Sequence, residues 1–292
     1  MGMVITTSTG HIGGKLTEIL LAENADLTLI VRDPAKLSED VRRRVTVKQG
    51  DLMDAEFVQK ATEDADALFF LPPPSFTAPD AAAYYGTLRH AAANAVAVNK
   101  IPRVVFISSG GGGSPQAGLV TETFKTEDAL NATGANVLSL RCGSFMENFL
   151  AYLPTLKNDG AWYGIVSPDL KTPFVATQDI AAVAARKLLH PDWQGQTFLA
   201  IHGAADLTPT QAMEILTETT GKALRYVQVP VEAIRQSLLG FGASASMVGG
   251  YIEMFKAFDT GIYGAEPRTA ETTTPTTLAE WALAHLKPLL SA

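Results

Sequence analysis

Short apolar segments alternate with amphipathic helical patterns along the first half of the chain. In the first helical pattern, Ile12, Leu16 and Ile19 fall on one face of a helix. The predicted strands are residues 3–6, 27–31, 45–48, 67–71, 103–107 and 136–140, and the longest predicted helices are residues 80–99 and 122–132. Most of these strands are continuous apolar runs, which is typical of parallel strands covered by helices on both faces. The pattern therefore predicts an α/β protein with a doubly wound parallel sheet.

The periodicity loosens after residue 150. Residues 151–173 contain Trp162, Tyr163, Gly160 and Gly164 with little periodicity, so we predict a loop or hairpin region there. Further on we predict a helix capped by Thr177, a strand at 197–201, a helix that starts at 208–210, a strand at 226–229 and a mostly helical remainder. No internal repeat or long linker divides the chain. We expect one unit, residues 1–292, with a core of residues 1–150 and 174–203 and a smaller, mostly helical lobe of residues 151–173 and 204–292.

Composition and charge narrow the class of protein. The 292 residues are 47% hydrophobic and 18% charged, and the net charge of −7 argues against a surface that holds nucleic acid or an anionic membrane. The single cysteine, Cys142, allows no intrachain disulfide and fits a reducing compartment. There is neither a secretory pattern at the N-terminus nor an apolar run of about 18 residues. The five histidines show no metal-ligand spacing. We expect a cytoplasmic protein without a metal site.

The turn after the first predicted strand, T-T-S-T-G-H-I-G-G at residues 6–14, is the first candidate for chemistry. Gly10 and Gly13 have the spacing of the last two glycines of a dinucleotide-binding turn, where backbone N–H groups at a helix start approach a pyrophosphate. Thr7 stands where the first glycine is usual. We interpret this as a changed turn in which Thr7 keeps a negative φ; a positive φ would force the turn to open and weaken binding.

The ends of the second and third predicted strands carry the next candidates. An acidic residue after the second strand suits the ribose of NAD, whereas a cation suits the 2′-phosphate of NADP. This chain has Arg32 there and Lys36 close behind, which favours NADP(H) over NAD(H). Asp51 follows the third strand and either accepts from an adenine amino group or caps the next helix.

Several motifs together carry a family resemblance. They are V-I-T-T-S-T-G-H-I-G-G, I-V-R-D-P, Q-G-D-L-M-D, A-L-F-F-L-P-P-P and I-S-S-G, followed by L-N-A-T-G-A-N-V-L-S-L-R-C-G-S-F-M-E-N-F and V-A-T-Q-D-I-A-A-V-A. As a set they resemble the NmrA-like branch of the atypical short-chain dehydrogenases, over most of the chain and weakening after about residue 235.

The resemblance implies a Rossmann fold that binds NADP(H) and a smaller lobe that shapes the substrate pocket. It implies cofactor contacts from Gly10, His11, Ile12 and Gly13 at the phosphates, Arg32 at the 2′-phosphate, Asp51 and Leu52 near adenine, Leu71 and Pro72 at the ribose, and Ser108 near the nicotinamide. It also places Phe145, Met146 and Asn148 at the substrate pocket, to which we add the aromatic candidates Phe76, Trp162 and Phe174.

A catalytic acid is the element that the sequence lacks. Extended short-chain enzymes use a Tyr-x-x-x-Lys pair, and none occurs near residues 110–130. Thr123 takes the place of the catalytic Lys of the plant reductases that resemble this chain. Lys125 lies about 200° further round the helix and should point to the surface. Ser108 and Thr123 remain weak catalytic candidates, and the glycine run 110–113 is interpreted as a mobile loop beside the site.

These observations leave three hypotheses for function. The first is an NADP(H)-dependent oxidoreductase that transfers hydride to a small apolar or conjugated acceptor such as a quinone or dye, because such acceptors need little proton donation from the protein. The second is a non-catalytic NAD(P)-binding redox sensor that acts through a protein partner. The third, an epimerase or dehydratase, is disfavoured by the missing Tyr-x-x-x-Lys.

Overall fold

A parallel sheet of seven strands forms the centre of the protein. The computed structural model describes residues 1–114 and 116–291. The seven strands are β1 (Gly2–Ile5), β2 (Asp26–Val31), β3 (Thr46–Gln49), β4 (Ala67–Phe70), β5 (Arg103–Ser109), β6 (Asn136–Cys142) and β10 (Gln196–Ile201). Their order is β3-β2-β1-β4-β5-β6-β10, and every pair is parallel. The strand order reverses between β1 and β4, which is where doubly wound sheets form their ligand crevice.

Helices cover both faces of this sheet. They are α1 (His11–Ala22), α2 (Glu39–Arg44), α3 (Ala55–Ala61), α4 (Ala81–Asn99), α5 (Leu119–Asn131) and α7 (Thr177–Leu189). Helices α1 and α7 pack together over one face, where Leu16 and Ile180 are fully buried. Helices α3, α4 and α5 cover the other face around Leu88 and Phe106. The doubly wound α/β architecture expected from the apolar runs is confirmed.

A smaller lobe packs beside the carboxyl end of the sheet. Its elements are β7 (Ser144–Phe145), α6 (Leu153–Asn158), β8 (Ala161–Gly164), β9 (Thr172–Val175), β11 (Asp206–Leu207), α8 (Pro209–Thr220), β12 (Arg225–Gln228), α9 (Val231–Gly240), α10 (Ala245–Asp259), α11 (Leu278–Trp281) and α12 (Lys287–Ser291). Strands β11, β9 and β7 form one small sheet, and β12 pairs with β8. Phe149 and Trp281 are buried at the centre of the lobe.

Two local predictions for this half of the chain are wrong. Residues 151–173 contain α6, β8 and the start of β9 rather than only loops or a hairpin, because β8 pairs with β12, a strand far along the chain. Thr177 does not cap α7. Ala176 occupies the cap position, and the carboxylate of Glu147 accepts the N–H of Thr177 at 3.1 and 3.2 Å.

Within residues 1–114 and 116–291, no helix combines the length and the apolar character needed to cross a membrane.

Candidate functional site

The β1–α1 turn begins the site. Gly10 precedes α1 with extended backbone angles, and no side chain caps the first N–H groups of the helix. Gly13 lies directly under the turn, where an added Cβ would stand 2.4 Å from the carbonyl oxygen of Thr7. Because that contact is with backbone, a larger residue at position 13 would displace the turn. The free N–H groups leave this end of the helix able to receive an anion.

The backbone of Thr7 differs from our interpretation. Its φ is +50°, so the prediction of a negative φ is wrong, and the turn is nonetheless closed: the N–H of Gly10 donates to the carbonyl oxygen of Thr7 at 2.9 Å. The hydroxyl of Thr7 donates to the carbonyl oxygen of Thr6 at 2.8 Å. A β-branched residue is strained at positive φ, and this hydrogen bond offsets part of the strain.

An elongated cavity, here called the edge cleft, runs along the carboxyl ends of β1 to β4. Its volume is about 590 Å³. Arg32, Asp51, Leu52 and Met53 line one end; Thr7, Thr9, Gly10, His11, Ile12 and Leu71 line the middle; Phe145, Glu147, Asn148 and Thr177 line the other end. The edge cleft therefore collects most of the predicted cofactor residues along one path, with the start of α1 at its centre.

The charged residues at the first end take distinct positions. Arg32 is exposed and lines the edge cleft, whereas Lys36 lies on the following 3₁₀ turn and does not form its wall. Asp51 lines the edge cleft and accepts the N–H of Met53 at 2.9 Å. Asp54 caps helix α3, so the helix-capping alternative for Asp51 is wrong. Pro72 is half-buried next to the wall, to which Leu71 and Pro73 contribute.

The two weak catalytic candidates do not reach this cavity. Ser108 is buried, and its hydroxyl donates to the carboxylate of Glu127 within the core. Thr123 is half-buried on α5 and also lies outside the described wall of the edge cleft. The hydroxyl of Ser108 is therefore engaged by Glu127, and Ser108 is not among the described residues that line the edge cleft. Lys125 is half-exposed and pairs with Glu122 at 2.6 Å, in agreement with its predicted surface position.

The glycine run after β5 is held in place by charge. The N–H groups of Gly111 and Gly112 donate to the carboxylate of Glu266 at 3.0 and 2.9 Å. Arg141 joins this carboxylate to that of Glu127, with N–O distances of 3.0 and 2.8 Å. Two glycines of the run are thus bound to a largely buried ion-pair network, which opposes the mobility expected for this loop.

A second cavity, the inner chamber, opens beside the far end of the edge cleft. Its volume is about 300 Å³, and it shares Pro74, Ser75, Phe145, Asn148 and Ala151 with the edge cleft. The predicted substrate residues Phe76, Phe145, Asn148, Trp162 and Phe174 all line it. Met146 does not; it is 1% exposed and packs in the centre of the lobe, so its predicted place at the pocket is wrong.

Helix α10 contributes wall residues that sequence reasoning missed. They are Met247, Tyr251, Met254 and Phe255, spaced to fall on one face of the helix. The periodicity was a usable signal for a buried face, although it did not distinguish a core from a cavity. Tyr251 and Tyr152 place their hydroxyl oxygens 3.3 Å apart. Burial raises the pKa of Tyr251 well above its usual value, so its phenol keeps its proton at neutral pH.

Tyr84 and Glu147 were also missed in the edge cleft. The hydroxyl of Tyr84 donates to the carbonyl oxygen of Pro73 at 3.0 Å, and burial raises its pKa against the opposing charge of Arg32. Besides Thr177, the Glu147 carboxylate accepts the indole N–H of Trp281 at 3.1 Å. No sequence motif marks either residue, and the partners of Glu147 come from distant segments of the chain.

The strand order, the glycine turn after β1 and the cleft at the topological switch point together define the Rossmann-fold class.

The sequence profile of the NmrA-like family matches residues 2–282, and the chain belongs to this family. The NAD(P)H azoreductase of Xenophilus azovorans is 25% identical over 290 residues, which cover 97% of either chain. Quinone oxidoreductase 2 of Escherichia coli K12 is 26% identical over 267 residues, 89% of this chain and 87% of that protein. A crystal structure of an NADPH-dependent quinone oxidoreductase from Escherichia coli superposes with a TM-score of 0.76 at 25% identity, covering 98% of this chain and 99% of that one.

Proposed function

We propose that this protein is an NADP(H)-dependent reductase that transfers hydride to a small, apolar, conjugated acceptor such as a quinone or an aromatic dye. The observation that carries the proposal is the junction of two cavities. A long cleft along the sheet edge, centred on a helix N-terminus, shares Phe145 and Asn148 with an aromatic chamber. Such a junction brings a cofactor in the edge cleft against an acceptor in the inner chamber.

The residues of the edge cleft suit a nicotinamide dinucleotide. Gly10, His11 and Ile12 present the start of α1 to the two phosphates. Arg32 binds the 2′-phosphate, which selects NADP(H) over NAD(H). Near adenine lie Asp51 and Leu52, and near the ribose lies Leu71.

The chemistry needs few protein groups. A bound reduced nicotinamide supplies a hydride, that is two electrons with one proton, and water supplies the second proton that turns a quinone into a hydroquinone. Phe145 and the aromatic residues of α10 hold the acceptor flat. Asn148 is exposed at the boundary and orients a polar group of either molecule. The names of the azoreductase and quinone oxidoreductase relatives support the same acceptor class.

The test combines calorimetry with turnover. NADPH and NADH are titrated into the protein, and a panel of quinones and azo or cationic dyes is then mixed with protein and NADPH while nicotinamide absorbance is followed. We expect tight NADPH binding and turnover of at least one acceptor class. Tight NADPH binding without turnover of any acceptor in the panel would overturn the proposed reductase function. The remaining hypothesis would then be a non-catalytic redox sensor that acts through a protein partner.

Cofactor choice is tested at Arg32. The Arg32→Glu variant should weaken NADPH binding by about 100-fold, because a carboxylate would face the 2′-phosphate, while NADH affinity should change by less than about threefold. Arg42→Glu is the matched control, since Arg42 is an exposed residue of α2 outside the edge cleft. Equal effects of Arg32→Glu on both cofactors would show that Arg32 does not contact the 2′-phosphate.

A further inference from the structure

A third cavity, the outer chamber, continues from the inner chamber on the side away from the edge cleft. Its volume is about 450 Å³, larger than that of the inner chamber. The two chambers share Phe76, Ala151, Tyr152, Trp162, Tyr251 and Phe255. Only the outer chamber is lined by residues of α9 and of the segment that joins α9 to α10.

Trp162 forms the junction between the two chambers. Its ring is 5.3 Å from that of Phe149 and 4.8 Å from that of Tyr226, so neighbouring rings hold the indole in place. The side chain is 7% exposed, and its indole N–H finds no hydrogen-bond acceptor among the described residues. The contacts with neighbouring rings therefore fix the position of the indole between the two chambers.

The outer wall of this chamber is lightly packed. Helix α9 has no buried residue, although Ile234 and Leu238 line the chamber. Phe241 follows it and is 87% exposed while it lines the chamber rim. An aromatic ring that is this exposed beside an apolar cavity buries apolar surface when it closes on a bound apolar ligand, and this burial is favourable.

We infer that the acceptor is an extended two-ring molecule whose reacting ring lies in the inner chamber and whose second aromatic ring lies in the outer chamber. This inference rests on the proposed function for the identity of the reacting ring. The occupation of the outer chamber rests on the cavity itself.

The first test is an equilibrium titration without cofactor. Phenol and 4-phenylphenol, neither of which accepts a hydride, are titrated into the protein by calorimetry. Ala243→Phe places a ring where a small side chain lines only the outer chamber, and Ala233→Phe adds the same ring at an exposed position of α9 outside the chambers. We expect 4-phenylphenol to bind the parent protein at least about tenfold more tightly than phenol. Ala243→Phe should remove that advantage and Ala233→Phe should retain it.

Equal affinity for phenol and 4-phenylphenol in the parent protein, or equal effects of the two phenylalanine substitutions, would overturn the inference. Phe241→Ala provides a second variant that does not disturb the core, because Phe241 is largely exposed. This substitution should lower the affinity for 4-phenylphenol by about threefold or more and leave the affinity for phenol unchanged.

A turnover comparison separates this inference from the proposed function. Benzoquinone and 2-phenylbenzoquinone are reduced with NADPH by the parent protein and by Ala243→Phe. We expect kcat/KM for 2-phenylbenzoquinone to fall at least about tenfold in the variant, with benzoquinone within about twofold. If neither quinone is reduced but 4-phenylphenol still binds as expected, the proposed reductase function is wrong, whereas the outer chamber remains a binding site for a second aromatic ring.

Discussion

The edge cleft and the inner chamber meet at Phe145 and Asn148, yet they are built in different ways. The edge cleft takes its shape from backbone: strand ends, the β1–α1 turn and the first N–H groups of α1. The inner chamber takes its shape from aromatic and sulfur-containing side chains that come from several distant segments.

Because of this difference, the backbone of the edge cleft can change little, whereas the side chains of the inner chamber can be substituted one at a time. A phosphate-binding turn tolerates little displacement, because its donors are fixed backbone groups on the central sheet. A chamber of side chains changes its selectivity through single substitutions that leave the fold intact. Substitutions at the edge cleft should therefore affect cofactor binding sharply, and substitutions at the inner chamber should affect only the acceptor.

The largest effect is expected at Gly13. In Gly13→Ala the new Cβ would overlap the backbone of Thr7, so NADPH affinity should fall by at least about 100-fold. Gly14→Ala is the matched control, because its Cβ would lie 3.4 Å from the carbonyl oxygen of Ser8. Calorimetric titration with NADPH distinguishes them. Similar affinities for the two variants would show that the turn does not depend on close packing at Gly13.

A substitution at Phe255 should weaken binding of the acceptor without changing binding of the cofactor. Phe255→Leu removes part of the ring surface of the inner chamber, and the KM for a quinone should rise by about tenfold while the Kd of NADPH stays within about twofold. Phe258→Leu is the control, because Phe258 lies on the same helix and packs against Tyr263, outside the chambers. A parallel change in NADPH affinity would break the proposed separation of the two regions.

A smaller effect is expected at Thr7. Thr7→Val keeps the branched shape and removes the hydroxyl that donates to Thr6, so the free energy of unfolding should decrease by about 1 kcal/mol in denaturant titrations. Thr7→Gly relaxes the positive φ; since the turn is already closed, NADPH affinity should change by less than about threefold. Markedly tighter binding by Thr7→Gly would mean that the threonine holds the turn partly open.

The last effect appears only at alkaline pH. Burial raises the pKa of Tyr85, which lines the inner chamber, to about 12. The folded state favours the neutral phenol, so this contribution to stability is complete below pH 10 and is lost as pH rises from about 10 to about 12. Tyr85→Phe should therefore lose less stability than the parent over this range. Identical pH profiles from thermal unfolding would show that Tyr85 titrates with its unfolded pKa.

Prediction from sequence succeeded where local pattern determines structure. The strands that follow continuous apolar runs lie within two residues of their predicted ends, because burial on both faces leaves a strong one-dimensional signal. The glycine spacing likewise placed Gly10 at the edge cleft and Gly13 beneath the turn.

Prediction failed where the partner lies far along the chain. Ser108 looked available at a strand end, but its hydroxyl is taken by Glu127 from α5. Met146 and Phe145 are adjacent, yet one packs in the lobe core and the other lines the cavities, because strand β7 ends at Phe145 and a 3₁₀ segment begins at Met146. The sign of φ at Thr7 depends on how the turn packs over Gly13, which no pattern of residues specifies.

The contact between Glu266 and the glycine run has a consequence for biosynthesis. Gly111 and Gly112 leave the ribosome long before the carboxylate that accepts their N–H groups, and Arg141 precedes that carboxylate by 125 positions. At ordinary elongation rates the delay is about 6 to 25 seconds. During that time the nascent sheet has strands but lacks the anion that fixes the loop after its fifth strand, so this corner of the fold is completed only after helix α10 and the segment that follows it have been synthesised.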